Sequence, residues 1–314
     1  AAVSSGSMFM PPVMGAAIFL MVEFTGIPYL EVLKVAFIPA LLFFFGIAIM
    51  VHLYALKKGI KGVDADVLPN PWTVFKRGWF FILPLVVLLY VIILGYTPAR
   101  AAFFGSITCL VVCYFRKDCR MSLRDLWEVF VIAARNVLTI ASVSGAVGVI
   151  VGVLTLTGLG LKFSSVVIAL AGGNLFLTII LVAIAATFLG MGTNIAAVYA
   201  ILAVIAPAAL VELGSSVIAA HLLLVWYSQL SGITPPVCLV AYAASAIAQG
   251  NPFRTGMKSL VYGIYLLILP LAFIYTPILL GGTPTENVVG IITVTLAVFG
   301  VAVIMQNYFI SKVP

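Results

Sequence analysis

Apolar runs of about 17–25 residues recur along almost the whole of this 314-residue chain, and they constrain its fold more than any other feature. At a rise of about 1.5 Å per residue, each run is long enough to cross the ~30 Å hydrocarbon layer of a membrane as one helix. The residues are 64% apolar and only 8% charged, with a mean hydropathy of +1.28, and no soluble domain has such a composition. The runs also lack the two-residue alternation of barrel strands. Because a backbone in lipid must satisfy its own hydrogen bonds, the sequence predicts an all-α polytopic membrane protein.

The runs predict nine segments at the level of the membrane. They are a broken span that ends near Phe24, then Lys34–Leu56, Trp79–Tyr96, Ala101–Phe115, Asn136–Leu156, a glycine-interrupted segment Ser164–Glu212, Ser216–Ala248, Ser259–Leu280 and Val288–Phe309. The stretch Met121–Asn136 mixes charges with apolar residues at helical spacing. It is predicted either as a helix along the cytoplasmic surface or as the charged start of the membrane helix that follows.

The positions of lysine and arginine orient these spans. The loop Lys57–Gly78 carries five basic residues and is therefore predicted to be cytoplasmic. If Ser164–Glu212 is a re-entrant hairpin that enters and leaves on the outer side, thirteen of the sixteen basic residues fall inside, and only Lys34, Arg100 and Lys162 lie outside. The bias would weaken if that segment crossed the membrane once. The hairpin is therefore the preferred interpretation.

Two adjacent prolines interrupt an apolar run at SMFMPPVMGAA (Ser7–Ala17), and SGITPPVCLVA (Ser231–Ala241) repeats this motif 224 positions later. The identities at that single offset, without gaps, pair Ser7 with Ser231, Pro11 with Pro235, Pro12 with Pro236, Val13 with Val237, Ala17 with Ala241, Gly26 with Gly250, Pro28 with Pro252 and Lys34 with Lys258. Chance identities are common in apolar sequence, but paired prolines followed by Gly-x-Pro and Lys at one spacing are not. The chain therefore contains an internal repeat.

Five predicted crossings separate the two copies, so the copies are predicted to run in opposite directions. Broken helices in such an inverted repeat place a binding site near the bilayer midplane. Pro12 and Pro236 suit the first turn of a half-helix, where a missing N–H costs nothing. Each break frees carbonyls before it, which can bind a desolvated cation, and exposes a helix N-terminus after it, which attracts an anion.

A third break is predicted in FLGMGTNIAAVY (Phe188–Tyr199). Gly190 and Gly192 weaken the helix there, and Thr193 and Asn194 can cap its continuation. This stretch is the predicted tip of the outer hairpin, which would meet the second proline break around one ion at half-membrane depth. The first half should have a matching cytoplasmic hairpin upstream of Ala1, so the chain is expected to be a fragment of a longer one.

These features predict four regions. They are 1–56, the end of the first repeat; 57–163, connecting spans with the surface helix; 164–280, the second repeat; and 281–314, an additional span.

Charge and cysteine content restrict the chemistry. No acidic or basic residue lies deep in a predicted span, which favours Na⁺ held by neutral oxygens as coupling ion over a proton relay through carboxylates. The net charge of +7 arises from short loops and indicates topology, not a nucleic-acid partner. No other cofactor is expected. The four cysteines, which contain no C-x-x-C pair and have no matching histidines for a metal site, are predicted to be reduced packing residues: Cys109, Cys113, Cys119 and Cys238.

With these motifs in view, the chain resembles the large membrane subunit of tripartite ATP-independent periplasmic (TRAP) transporters, in particular the C-terminal part of fused permeases that pair with TAXI-type binding proteins. The matching pieces are MPPVMGAAIFLMVEFTGIPY, LGMG, AAHLLLVWYSQLSGITPPVCLVAYAASAIA and NPFRTGMKSL. The resemblance implies Na⁺-driven uptake of organic anions (carboxylates) across a bacterial or archaeal cytoplasmic membrane. It also implies a periplasmic binding protein, a small membrane subunit or its fused equivalent, and an elevator motion against a scaffold.

The resemblance also implies an ion- and substrate-binding set by position. Its members are Ser5, Gly6, Ser7, Met10, Pro11 and Pro12 in the first break; Gly190, Met191, Gly192, Thr193 and Asn194 at the tip; and Ser231, Gly232, Thr234, Pro235 and Pro236 in the second break. The Na⁺ candidates are Gly190, Thr193, Asn194, Gly232 and Thr234. The family usually continues Gly-Met-Gly with Leu-Pro-Thr, whereas here Ile195 stands where that hydroxyl would be.

Three other functions fit parts of the sequence. A divalent-anion/Na⁺ symporter uses similar broken helices without a binding protein, although its usual Ser-Asn-Thr tips do not occur here. A truncated, non-transporting remnant is the second. An intramembrane enzyme would need Ser231 or Cys238 as nucleophile and His221 as base, but His221 precedes Ser231 by ten residues, or about 15 Å along one helix. His221 is therefore predicted to be an interfacial or packing residue, and no enzyme is expected.

Overall fold

The structure is a computed structural model that describes residues 1–63, 68–115, 120–191 and 193–309. In these ranges the chain is helical and forms no strand. The helices long and apolar enough to cross a membrane, among the residues described, are Tyr29–Lys58, Pro71–Ile93, Pro98–Phe115, Ile195–Glu212, Pro252–Tyr275 and Pro284–Gln306. The prediction of an all-α, multi-pass membrane protein is confirmed.

The helices are numbered along the chain. They are α1 (Ala2–Gly6), α2 (Ala16–Thr25), α3 (Tyr29–Lys58), α4 (Pro71–Gly78), α5 (Leu83–Ile93), α6 (Pro98–Phe115), α7 (Leu123–Thr157), α8 (Leu159–Leu170), α9 (Leu175–Gly190), α10 (Ile195–Glu212), α11 (Val217–Tyr227), α12 (Leu230–Ile233), α13 (Leu239–Ile247), α14 (Pro252–Tyr262), α15 (Tyr265–Tyr275) and α16 (Pro284–Gln306), with 3₁₀ turns at Trp79–Ile82 and Pro277–Leu279.

The chain divides into two compact units. One comprises Ala1–Gly59 with Ser142–Pro314, and the other comprises Ile60–Ala141. The larger unit contains both copies of the repeat, and its centre is α11, whose residues from Ala219 to Tyr227 are all buried. Around this helix pack α2, α9, α10 and α15, while α3 packs against α15 and α16. An apolar helix buried on all sides is a core element, since it has no polar face to present.

The smaller unit is built around a helix pair. Helices α5 and α6 pack against each other, and the 3₁₀ turn at Trp79–Ile82 contacts both. Gly105 on α6 faces Leu88 on α5, where an added Cβ would lie 3.6 Å from the leucine Cβ. The predicted span Ala101–Phe115 is confirmed as a helix, and the predicted span Trp79–Tyr96 is helical as far as Ile93.

The charged stretch after Met121 belongs to α7. This helix runs without interruption from Leu123 to Thr157, and Ser122 begins it by exchanging hydrogen bonds with Asp125. The stretch is thus the start of the following helix, which was the second of the two predicted alternatives. No proline or glycine separates the polar and apolar parts at Asn136, so the helical hydrogen-bond ladder continues through it.

The glycine-interrupted segment Ser164–Glu212 contains three helices instead of the two arms of a simple hairpin. Helix α8 is followed by a bend of 112°, after which α9 and α10 pack against each other. Gly172 and Gly173 make the bend with φ of +58° and +73°, and the Asn174 side chain caps α9 by accepting from the Leu177 N–H. Glycine adopts this left-handed conformation without steric cost.

Candidate ion and substrate site

The second proline break interrupts the run from α11 to α13. After the short helix α12, the backbone becomes extended at Thr234 and regains helical form at Leu239. The Pro235–Pro236 peptide bond is cis. The carbonyl oxygen of Pro236 accepts a hydrogen bond from the Tyr242 hydroxyl on α13. The break is therefore an ordered, hydrogen-bonded segment.

The first break has the same plan. Helix α1 ends at Gly6, the Pro11–Pro12 bond is cis, and α2 begins at Ala16. The carbonyl oxygen of Pro12 accepts a hydrogen bond of 2.7 Å from the Tyr29 hydroxyl. In each copy a tyrosine thus satisfies the carbonyl of the second proline, although Tyr29 and Tyr242 are not at equivalent positions of the repeat.

The prediction that Pro12 and Pro236 occupy the first turn of a half-helix was wrong. The helices after the breaks begin at Ala16 and Leu239. In a helix that began at the proline, its carbonyl would accept from the N–H four residues later. Here the tyrosine hydroxyls occupy these carbonyls, so each unwound segment is longer than predicted.

The predicted hairpin tip joins α9 to α10. The Asn194 side chain caps α10 by accepting from the Ala196 N–H at 2.8 Å, as predicted. The Thr193 hydroxyl instead donates back to the Leu189 carbonyl at 2.8 Å. Gly192 lies outside the described residues, and Met191 ends α9 in helical conformation. The two polar side chains of the tip are thus already engaged in holding the turn.

The structure brings the tip and the second break together. Gly190, the last residue of α9, packs directly on Ser231 of α12: a Cβ built on Gly190 would lie 2.3 Å from both the Cβ and the Oγ of Ser231. Real Cβ atoms do not approach other atoms this closely, so this contact requires glycine. The predicted meeting of tip and break is observed in this contact.

The first break also packs against the second. Helix α1 contacts α12, α13 and α14. The ring of Phe9 stacks on Trp226 of α11 with 3.9 Å between centroids, and Gly6 lies against Phe43 and Phe44 of α3. Both breaks and the hairpin tip therefore meet within the larger unit.

The remaining predicted site residues differ in accessibility. Ser5, Gly6 and Pro11 are buried, whereas Ser7 is exposed and its hydroxyl donates to the Ser4 carbonyl at 2.7 Å. Met10, Pro12, Gly232, Thr234 and Pro235 are half-buried, and Pro236 is exposed. Each break thus contains both buried and more accessible positions.

Sequence reasoning missed a buried polar group beside the second break. Gln229 is 1% exposed, and neither atom of its amide has a hydrogen-bond partner among the residues the structure describes; the same holds for the indole N–H of Trp226. A glutamine next to the predicted break, two residues before Ser231, was the available signal. Buried polar atoms without partners are rare and costly, so they mark positions under functional demand or strain.

The structure gives no support to the nucleophile–base arrangement of an enzyme. His221 is buried, and its Nδ1 pairs with the Tyr199 hydroxyl at 2.8 Å, while the Ser231 hydroxyl donates to the Ser228 carbonyl. His221 is therefore a packing residue, which was one of the two alternatives predicted for it. Cys238 is buried with a free thiol, but Cys109 is exposed, so the prediction of a packing role was wrong for Cys109; Cys119 lies outside the described residues.

The site region is electrically neutral. Among the described residues, no Asp, Glu, Lys or Arg is buried, and no cluster of His, Cys, Asp or Glu could hold a metal ion. Hydroxyls, amides and carbonyls are thus the groups available to a ligand at the breaks. Such oxygens suit a hard monovalent or divalent cation.

Fold and site together define a multi-pass α-helical membrane protein with two broken helices that meet a hairpin tip. Residues 1–306 match the family model described as "Tripartite ATP-independent periplasmic transporter, DctM component". The chain therefore belongs to this family and is a TRAP transporter membrane permease. DctM components work with a periplasmic binding protein and a small membrane subunit. No curated protein matches the chain significantly.

Proposed function

We propose that the chain is the membrane permease of a Na⁺-coupled secondary transporter that imports organic anions, carboxylates such as C4-dicarboxylates, across the cytoplasmic membrane. The observation that carries the proposal is the contact between Gly190 at the hairpin tip and Ser231 in the second break. Two breaks and a tip that converge in one unit supply the carbonyls, hydroxyls and helix ends that ion-coupled binding at the midplane needs.

Na⁺ is the proposed coupling ion because the converging groups are neutral oxygens. A proton relay would need a titratable carboxylate, and the described residues bury none. The helix N-terminus at Leu239 and that at Ala16 offer unsatisfied N–H groups toward an anionic substrate.

The partner and the motion extend this proposal. The motifs shared with fused permeases favour a TAXI-type periplasmic binding protein as the source of substrate, with the small subunit present as a separate or fused region. An elevator motion of the larger unit's site-bearing helices would move substrate across the membrane, in line with an inverted pair of repeats.

The proposal is tested with the full-length permease, its small subunit and its binding protein in liposomes. We expect uptake of the labelled carboxylate that the binding protein carries only when an inward Na⁺ gradient and the binding protein are both present. Uptake at the full rate in choline chloride would refute Na⁺ coupling, and uptake without binding protein would favour the divalent-anion symporter.

The ion site is tested at Thr234. Thr234→Val removes a hydroxyl from the unwound segment with little change of side-chain volume. We expect it to raise the half-saturating Na⁺ concentration about tenfold, which is the affinity that one ligand contributes. Thr234→Ser keeps the hydroxyl and serves as control. An unchanged Na⁺ titration in the valine variant would reject Thr234 as a ligand.

A further inference from the structure

Ser259 is a second polar residue without a partner beside the break. It lies on α14, is 5% exposed, and its hydroxyl has no hydrogen-bond partner in the described part of the chain. Neither composition nor spacing singled it out. A hydroxyl that has left water without a new partner is destabilising, and a bound ligand would offset that cost.

The contacts of two glycines locate the Ser259 side chain. Gly256, Ser259 and Gly263 are spaced i, i+3 and i+7 and therefore share one face of α14. A Cβ on Gly256 would lie 2.8 Å from the Cys238 Sγ and 3.2 Å from Pro235, and one on Gly263 would lie 2.3 Å from the Ile233 side chain. Ser259 lies between these two contacts, on the face of α14 that packs on the second break.

The backbone opposite Ser259 offers acceptors. Pro235 and Pro236 have no N–H, and the Cys238 N–H is already donated to the Thr234 carbonyl at 3.2 Å. The Pro236 carbonyl is held by Tyr242, whereas the Pro235 carbonyl accepts no hydrogen bond among the described residues. The Pro235 carbonyl and the Ser259 hydroxyl thus supply neutral oxygens that a cation can bind.

We infer that the Ser259 hydroxyl is a Na⁺ ligand that completes a site formed by the second break and α14. This inference rests on the proposed Na⁺ coupling and adds to it a ligand from a helix outside the break. The two repeats differ at this ligand. The first repeat has Val35 at the equivalent position, 224 residues earlier, so α3 offers no hydroxyl there.

The test is a Na⁺ titration of thermal stability on the purified full-length protein, with choline chloride keeping the ionic strength constant. We expect Na⁺ to raise the melting temperature of the wild type, and Ser259→Ala to raise the half-saturating Na⁺ concentration about tenfold. In choline alone, Ser259→Ala should melt no lower than the wild type, because the variant removes a polar atom that is unpaired without Na⁺.

Ser245→Ala is the matched control. Ser245 is 3% exposed on α13, but its hydroxyl already donates to the Tyr242 carbonyl at 2.7 Å, so the variant should titrate with Na⁺ as the wild type does. A wild-type Na⁺ shift that Ser259→Ala retains at the same half-saturation would overturn the assignment of Ser259 and leave Na⁺ coupling standing. A wild type that responds to neither Na⁺ nor its gradient would overturn both.

Discussion

In the first repeat, the span that follows the broken helix is one 30-residue helix, α3, whereas in the second repeat the same stretch is divided into α14 and α15 at Gly263 and Ile264. The residues along this stretch differ accordingly. Val32, Val35 and Pro39 in the first copy correspond to Gly256, Ser259 and Gly263 in the second. The two repeats therefore have the same order of helices and breaks but different side chains at equivalent positions.

The lining determines how closely other elements approach each break. Large side chains fill the first: Phe9 stacks on Trp226 and meets Phe43 edge-on at 5.2 Å between centroids. Small side chains line the second, which lets Gly190, Gly256 and Gly263 come within contact of its backbone and side chains. We interpret the first break as the more tightly packed member of the pair and the second as the member that supplies the Na⁺ ligands.

The strongest test of this comparison removes the aromatic anchor of the first break. Phe9 is fully buried, and Phe9→Ala should lower the free energy of unfolding by about 3–5 kcal/mol, because the cavity between Phe43 and Trp226 cannot collapse. Unfolding in mixed micelles measures the change. Phe253→Ala, at a position 58% exposed, is the control and should have little effect.

The next test fills the space at the second break. Gly190→Ala places a methyl group on Ser231, and we expect a loss of about 1–3 kcal/mol in stability together with slowed uptake. Adding Ser231→Gly should restore stability, since it removes the two atoms that the methyl group meets. Gly300→Ala in α16, where a Cβ would meet nothing within 4 Å, should be harmless. An undiminished stability of Gly190→Ala would contradict the tip contact.

Gln229 tests whether the second break retains polarity at the expense of stability. Its first-break counterpart, Ser5, is smaller and also buried. Gln229→Leu removes two unpaired polar atoms, and we expect it to raise the free energy of unfolding by about 1–2 kcal/mol. Gln229→Asn keeps the amide and should give no such gain. A destabilised leucine variant would show that the amide is paired in the working protein.

The parts of the fold that followed from the sequence were those fixed by composition and by short-range pattern. Lipid-length apolar runs have only one structural solution in a membrane, so α3, α6 and α16 lie where they were predicted. The repeat and the glycine-rich tip located the site because prolines and glycines act on the backbone itself. Asn194 capped α10 as predicted for the same reason.

The parts that did not follow depend on contacts between distant residues. The Tyr242 hydroxyl donates to the Pro236 carbonyl ahead of α13, and the Tyr29 hydroxyl donates to the Pro12 carbonyl ahead of α2. Gly263, where α14 and α15 divide, lies against the side chain of Ile233. No local pattern encodes these pairings, so the unwound segments were predicted too short and α15 was not predicted as a separate helix.

The smallest expected effect is the difference in stability loss when each of the two tyrosine hydrogen bonds is removed. Tyr29→Phe leaves the Pro12 carbonyl without a partner at a residue 6% exposed, and we expect a loss of about 1 kcal/mol. Tyr242→Phe should cost less than about 0.5 kcal/mol, because the Tyr242 side chain and its contact with Pro236 are more accessible, and other donors can replace the hydroxyl. Tyr275→Phe, at a position 55% exposed, is the reference for loss of a hydroxyl alone. Equal losses at Tyr29 and Tyr242 in mixed-micelle unfolding would mean that both breaks are equally closed, and the contrast between a packed first break and an open second break would then fail.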